Sequence, residues 1–339
     1  MIIGMTYDLK KDYLEMGFSK EDVAEFDSEE TIDAIAEALK SLGYDVIRIG
    51  NVYELTKRLL MGERWDMVFN IAEGLYGRNR EAQIPALLEA YNIPYTFSDP
   101  LTLSLCLDKG MAKRVVRDGG IPTPEFLTVR RIDEIDGFDS AGIRFPVITK
   151  PIAEGTGKGI GKDSVIYDEE HLRRQVMRLL SRYKQPVLIE RFLTGKEYTA
   201  GIIGTGSDAR VIGILEVRLR KTAEPLVYSY LNKESYKENV DYTLIEDRRL
   251  IEGVSRIALD AYTILGCRDA GRIDLREDDD GNLYFLEMNP LAGLHPIHSD
   301  LPIICSMVGV PYKELIGAII GSASKRLRDE GSNRLQRAC

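Results

Sequence analysis

Apolar and polar residues alternate along Arg272-Ile273-Asp274-Leu275 and again along Phe285-Leu286-Glu287-Met288-Asn289, either side of the acidic turn Asp278-Asp279-Asp280-Gly281-Asn282. Alternation around an Asp-Gly turn predicts two antiparallel strands. A side-chain period of two then sends Glu287 and Asn289 to one face, with Asp274 opposite them on the neighbouring strand. A helical period appears from Ser28 to Leu42, where Ser28 supplies an N-cap, Glu29 and Glu30 are first-turn acids, and Gly43 lies just past the end. With apolar strands at residues 2–5, 45–49 and 67–70 this makes a small parallel α/β unit reaching to about residue 100, its last helix over 81–91.

Further along, the pattern predicts a helical stretch through Lys109 and Lys113, a loop at 119–124, and strands at 145–150, 165–167 and 187–193 around a helix at 169–183. Strands at 198–203 and 210–216, a polar tyrosine-rich stretch at 228–242, a helix at 248–265 and the hairpin follow. A chain of 339 residues exceeds a single core, so several domains are expected. The divisions read as 1–103, 104–186 and 187–330, with a charged helix end and loose tail over 331–339.

A formal net charge of −9 and the lack of a long basic run argue against sequence-independent nucleic-acid binding. The start at Ile2-Ile3-Gly4-Met5 has no basic n-region, and no apolar run is long enough to span a bilayer, so a cytoplasmic location without membrane contact is expected. Cys106, Cys267, Cys305 and Cys339 show no CxxC spacing, which argues against a zinc site or a disulfide framework; three of them sit in apolar surroundings.

Two segments carry candidate chemistry. On the hairpin, Asp274, Glu287 and Asn289 interrupt otherwise apolar strands beside Arg272. Oxygen ligands suit a hard cation such as Mg²⁺ and a guanidinium suits phosphate, so the face reads as a metal-nucleotide site; solvated acids on an outer hairpin face are the alternative. The second segment is Glu154-Gly155-Thr156-Gly157-Lys158-Gly159-Ile160-Gly161-Lys162, which fits neither GxxxxGK[ST] nor GxGxxG and joins strand to strand. It reads either as a hairpin tip or as a lid whose backbone N–H groups and lysines close over phosphates, with Lys150 just before it favouring the lid.

These residues together resemble the ATP-grasp superfamily and, within it, the D-alanine–D-alanine ligases. The resemblance rests on Ile93-Pro94-Tyr95-Thr96, Leu107-Asp108-Lys109, Ile148-Thr149-Lys150-Pro151, Glu154-Gly155-Thr156-Gly157, Val187-Leu188-Ile189-Glu190, Gly195-Lys196-Glu197-Tyr198-Thr199, Gly271-Arg272-Ile273-Asp274 and Leu286-Glu287-Met288-Asn289. It implies an α/β chain with a parallel N-terminal domain, a central lid domain and a C-terminal mixed-sheet domain. It also implies ATP and Mg²⁺ or Mn²⁺ as cofactors, amino acids as substrates and a homodimer. The implied activity is an ATP-dependent carboxylate–amine ligation through an acyl phosphate, giving a D-alanyl dipeptide for peptidoglycan; ligation of other amino acids, or a nucleotide-binding module without catalysis, are the alternatives.

Carried over by position, Lys109 and Lys150 contact phosphates, and Glu154, Gly155 and Gly157 of the lid belong to the ATP-binding set. Glu190, Arg191, Phe192 and Leu193 form the hinge at adenine, Glu197 meets the ribose, and Lys233 is a phosphate contact on a mobile loop. Asp274, Glu287 and Asn289 hold the metal. Arg272 and the Gly293 N–H stabilise the oxyanion. Four departures concern the amino-acid pockets. The family's first-strand glutamate gives way to an insertion at 8–27, where either Glu25 or Asp27 could replace it. Its His-Gly loop becomes residues 70–83, adding Arg78 and Arg80 as substrate contacts or as solvated helix-entry charges. Its lid serine falls on Thr156, with the partner tyrosine at Glu234 or Tyr236. Its His-Ser-Leu becomes His298-Ser299-Asp300, an extra acid that Arg78, Arg80 or His298 would have to offset.

Overall fold

The computed structural model describes residues 1–138, 142–220 and 239–337. Strands β1 (Ile2–Thr6), β2 (Asp45–Gly50) and β3 (Met67–Asn70) form a parallel sheet in the order β2-β1-β3. Helices α1 (Lys10–Glu15), α2 (Glu29–Ser41), α3 (Val52–Leu60) and α4 (Gln83–Ala90) connect it. Ser28 Oγ accepts from the Thr31 N–H at 3.3 Å, the N-cap that the sequence implies. Between β1 and α2 the insertion leaves and returns at one point, where Leu9 bridges Asp27, and it packs a small core of its own from Tyr13, Val23 and Phe26.

Helices α5 (Pro100–Leu107) and α6 (Lys109–Asp118) are separated at Asp108, whose carboxylate caps α6 through the Met111 N–H at 3.0 Å. Strands β4 (Phe126–Val129), β5 (Val147–Pro151), β6 (Val165–Ile166) and β7 (Val187–Arg191) form a second sheet in the order β4-β7-β5-β6, every pairing antiparallel. Helix α7 (Glu169–Tyr183) buries Leu172, Val176 and Leu179 against Val147, Val187 and Ile189. The glycine-bearing stretch joins β5 to β6, strand to strand.

The third sheet runs β10-β9-β8-β11-β12, from β8 (Glu197–Ile203), β9 (Arg210–Leu219), β10 (Val240–Leu244), β11 (Ala270–Glu277) and β12 (Leu283–Asn289). Its pairings are antiparallel throughout, so the expectation of a mixed sheet gives way. One face, including Ile273, Leu275 and Phe285, is buried under α6 and α8 (Arg248–Ile264). Helices α9 (Asp300–Met307) and α10 (Tyr312–Arg337) join this region to the first: Leu315, Ile316, Ile319 and Ile320 share one core with Ile3, Ile35 and Leu39. α10 extends through much of the segment expected to be loose. At roughly 1.5–3 kcal/mol for each fully buried aliphatic side chain, this shared core ties the first and last segments together.

Candidate active site

The hairpin builds the first wall. Asp274 pairs across the strands with Glu287 and Arg272 with Asn289, and the register shifts after Asp274, leaving Leu286 without an opposite residue. A bulge of this kind re-aims side chains. Arg272, Asp274, Glu287 and Asn289 therefore share the face opposite Ile273 and Leu275, which are fully buried. The five residues Asp278 to Asn282 close the turn, with Gly281 at φ +79° where its missing Cβ is needed.

Charges then run from this face to the central sheet. Lys109 Nζ lies 3.4 Å from Glu287 and donates to the Glu154 carbonyl at 2.6 Å. Lys150, on β5, pairs with Glu190 on β7, and Lys113 reaches the same carboxylate at 2.9 Å. Glu190 is 1% exposed and Lys113 fully buried. Burial works against the Glu190 carboxylate, but Lys113 and Lys150 overcome it and hold its pKa below the usual range. Burial lowers the Lys113 pKa against the pull of Glu190. Lys150, where Glu190 and Glu287 prevail over desolvation, is raised. Lys113 plays no part in the site read from sequence. Its position four residues after Lys109 on one helix was the only signal.

Of the hinge, Arg191 pairs with Glu125 at 2.7 Å and lies over Tyr284, while Phe192 and Leu193 are buried. Glu197 is 3.2 Å from Arg276. The donor set on the hairpin fits a hard cation: two carboxylates and an amide, with Asn289 donating through Nδ2 to Asp274 at 3.3 Å, so that its Oδ1 is turned elsewhere.

Between this face and the N-terminal unit lies a cavity of about 520 Å³, walled by Asp27, Glu73, Glu81, Thr156, Gly293 and Asp300 among others. The glycine loop closes over it. The Gly155 N–H donates to Glu25 at 2.7 Å, Lys158 lies 3.3 Å from Glu25 and 3.2 Å from Glu154, and Arg80 pairs with Glu25 at 2.7 Å. Burial would raise the Glu25 carboxyl, but Arg80, Lys158 and the Gly155 N–H bring it down to about 2. This corrects the picture of a loop with free N–H groups and lysines, since Gly155 and Lys158 are engaged by the insertion. Both candidate acids line the cavity, but Glu25 is committed to Arg80, Lys158 and the Gly155 N–H, whereas the Asp27 side chain has no such close pair among the described residues.

Thr156 stands at φ +49°, its Oγ1 buried without a hydrogen-bond partner among the described residues. Lys233, Glu234 and Tyr236 lie outside the described residues. Arg78 is largely exposed and pairs with Asp108 at 2.7 Å, and Arg80 is buried behind the cavity with Glu25 and the Ala153 carbonyl. Neither lines the cavity wall. What offsets Asp300 is Arg272, at 2.7 Å, with Tyr242 donating to the other carboxylate oxygen at 2.7 Å. Ser299 Oγ accepts from the His295 N–H at 3.0 Å, and a Cβ at Gly293 would come within 2.8 Å of it, so this close turn requires glycine. The His298 ring packs on that of His295 at 4.3 Å between centroids.

Known proteins match this arrangement. A family model described as D-ala D-ala ligase C-terminus matches residues 115–321. The chain is 32% identical over 287 residues to the D-alanine–D-alanine ligase of Aquifex aeolicus, covering 85% of this chain and 92% of that one. It is 34% identical over 298 residues to that of Bordetella avium, with 87% and 89% covered. The crystal structure of the Bacillus anthracis D-alanine–D-alanine ligase complexed with ATP superposes with a TM-score of 0.74 at 23% identity, over 97% of this chain and 99% of that one. Three sheets in this order, the charged hairpin face and these matches lead to one assignment: the chain belongs to the D-alanine–D-alanine ligase family and has its ATP-grasp fold.

Proposed function

We propose that the chain is an ATP-dependent carboxylate–amine ligase that joins two amino acids through an acyl phosphate, with D-alanine, named in its relatives, as a substrate and a peptidoglycan precursor as the product. The observation that carries this reading is the adjacency of the Arg272, Asp274, Glu287 and Asn289 face, the Lys109 and Lys150 cations and the 520 Å³ cavity.

In this reading ATP lies between the central and C-terminal sheets, its phosphates toward Lys109 and Lys150. Asp274, Glu287 and Asn289 would hold Mg²⁺, which when bound supplies positive charge at the phosphate oxygens. A carboxylate oxygen of the first amino acid attacks the γ-phosphorus, the bond from phosphorus to the β–γ bridging oxygen breaks, and ADP leaves. The amine of the second amino acid attacks the acyl carbon, loses a proton, and the carbon–oxygen bond to phosphate breaks. Arg272 and the Gly293 N–H would stabilise the oxyanion of that step. The lid held by Glu25 keeps water from the acyl phosphate.

The reading is tested by measuring ATP- and Mg²⁺-dependent phosphate release with D-alanine and identifying the product. Phosphate and dipeptide in equal amounts are expected. Phosphate release without any peptide from a panel of D- and L-amino acids would overturn it.

A further inference from the structure

Three acids on the N-terminal wall of the cavity form no close ion pair among the described residues. Glu81 is 9% exposed and lines the cavity, yet its carboxylate makes no hydrogen bond or ion pair among the described residues. Glu73 and Asp27, partly buried on the same wall, have none through their side chains either. The nearby cations are closely paired elsewhere, Arg80 with Glu25, Lys158 with Glu25 and Glu154, Lys109 with Glu287, and Arg80 and Lys109 offset Glu81 only from a distance and incompletely. Lys10 offsets Asp27 only in part. An unpaired buried carboxylate is costly, and fold packing alone gives no reason to keep three of them around a void.

We propose that the wall formed by Asp27, Glu73 and Glu81 is a subsite for an acyl donor of the diamino acid class, whose side-chain ammonium binds there together with its α-ammonium. The inference rests on the ligase reading, and D-alanine remains a poorer donor whose single ammonium offsets one of the three acids. A single metal ion does not explain the cluster, because no three acidic, histidine or cysteine side chains among the described residues converge closely enough to ligate one. The charge to be matched is spread out, as two ammonium groups on one short chain are. The protonation behaviour agrees. Burial pushes the Glu81 carboxyl up to about 7, burial and Asp8 push Asp27 up to about 7, and burial with Glu81 and Glu25 nearby raises Glu73 well above its usual value.

The test uses the full chain with ATP, Mg²⁺ and D-alanine as acceptor, comparing alanine, 2,3-diaminopropionate, 2,4-diaminobutyrate and ornithine of both configurations as donors. Calorimetric binding of each donor is measured alongside, with a non-hydrolysable ATP analogue. A diamino acid should exceed alanine in kcat/KM by at least ~10-fold, equivalent to about 1.4 kcal/mol. Glu81→Gln should bring that ratio to within about twofold of one; Glu73→Gln, a second neutralisation on the same wall, should lower it too. Alanine equal to or better than every diamino acid, in turnover and in binding, would overturn the subsite. Tight Glu81-dependent diamino acid binding without turnover of any pair would overturn the ligase reading and keep the subsite; absence of both would overturn both.

Discussion

Arg272 Nη1 lies 2.7 Å from Asp300 Oδ2, while its Nη2 lies 2.8 Å from Asp274, so one guanidinium links the hairpin to the start of α9. Burial works against this charge, but Asp274 and Asp300 hold it firmly protonated. Asp300 thus sets the direction of the side chain that we place at the oxyanion.

Asp300→Leu should release Arg272 and leave the Tyr242 hydroxyl without this acceptor. A loss of about 1–3 kcal/mol in unfolding free energy is expected, since Asp274 still pairs with the arginine. Denaturant unfolding checks this, and kinetics with varied acceptor should show a changed KM for the second amino acid. Wild-type stability would show that the pair carries no weight.

Glu190 between Lys113 and Lys150 predicts two different phenotypes. Lys113→Met removes a fully buried partner and should cost about 3–5 kcal/mol in stability. Lys150→Met should chiefly raise KM for ATP, by at least ~10-fold. Thermal denaturation and ATP titration of both variants separate them.

Glu25→Ala should free the glycine loop by removing the acceptor of the Gly155 N–H and the partner of Lys158 and Arg80. Water then reaches the acyl phosphate more readily. Phosphate released per dipeptide should rise above one, and proteolysis should cut more readily within residues 154–162. A ratio held at one would show that the latch does not guard the intermediate.

Stability without ligand should fall as pH rises from about 5 to 8. Asp27 and Glu81, raised to about 7, and Glu73, also raised, bind protons in the folded state that they have lost in the unfolded chain. Their contribution is complete below the unfolded carboxyl values and is lost as pH passes through about 7. Around them Asp8, Glu25, Lys10, Arg80 and Lys109 set the local charge. Glu25, depressed to about 2, acts oppositely and weakens the fold only as pH falls below about 4.5. Solvent in the cavity limits the alkaline loss to about 1–3 kcal/mol. A melting temperature that climbs from pH 5 to 8 would contradict this.

The hairpin face was legible because a period of two decides orientation from few residues: Asp274 opposite Glu287 follows once the strands are recognised. The helix from Glu29 was legible from its cap. Pairing over long separations was not. Nothing in the sequence joins Glu25 to Arg80, Lys158 and the Gly155 N–H, which is why Arg80 reads equally as a substrate contact or a solvated helix-entry charge. The sequence shows that Asp300 needs a cation and offers Arg78, Arg80 and His298, whereas the packed chain supplies Arg272. Burial and competition among charges decide such pairs, and both are properties of the packed chain.

The acyl phosphate is the centre of this account, and oxygen transfer tests it most directly. With donor amino acid labelled with ¹⁸O in its carboxylate, one labelled oxygen should appear in the inorganic phosphate for each dipeptide formed, and Glu287→Ala should abolish both products. Dipeptide accompanied by unlabelled phosphate would contradict the acyl-phosphate route.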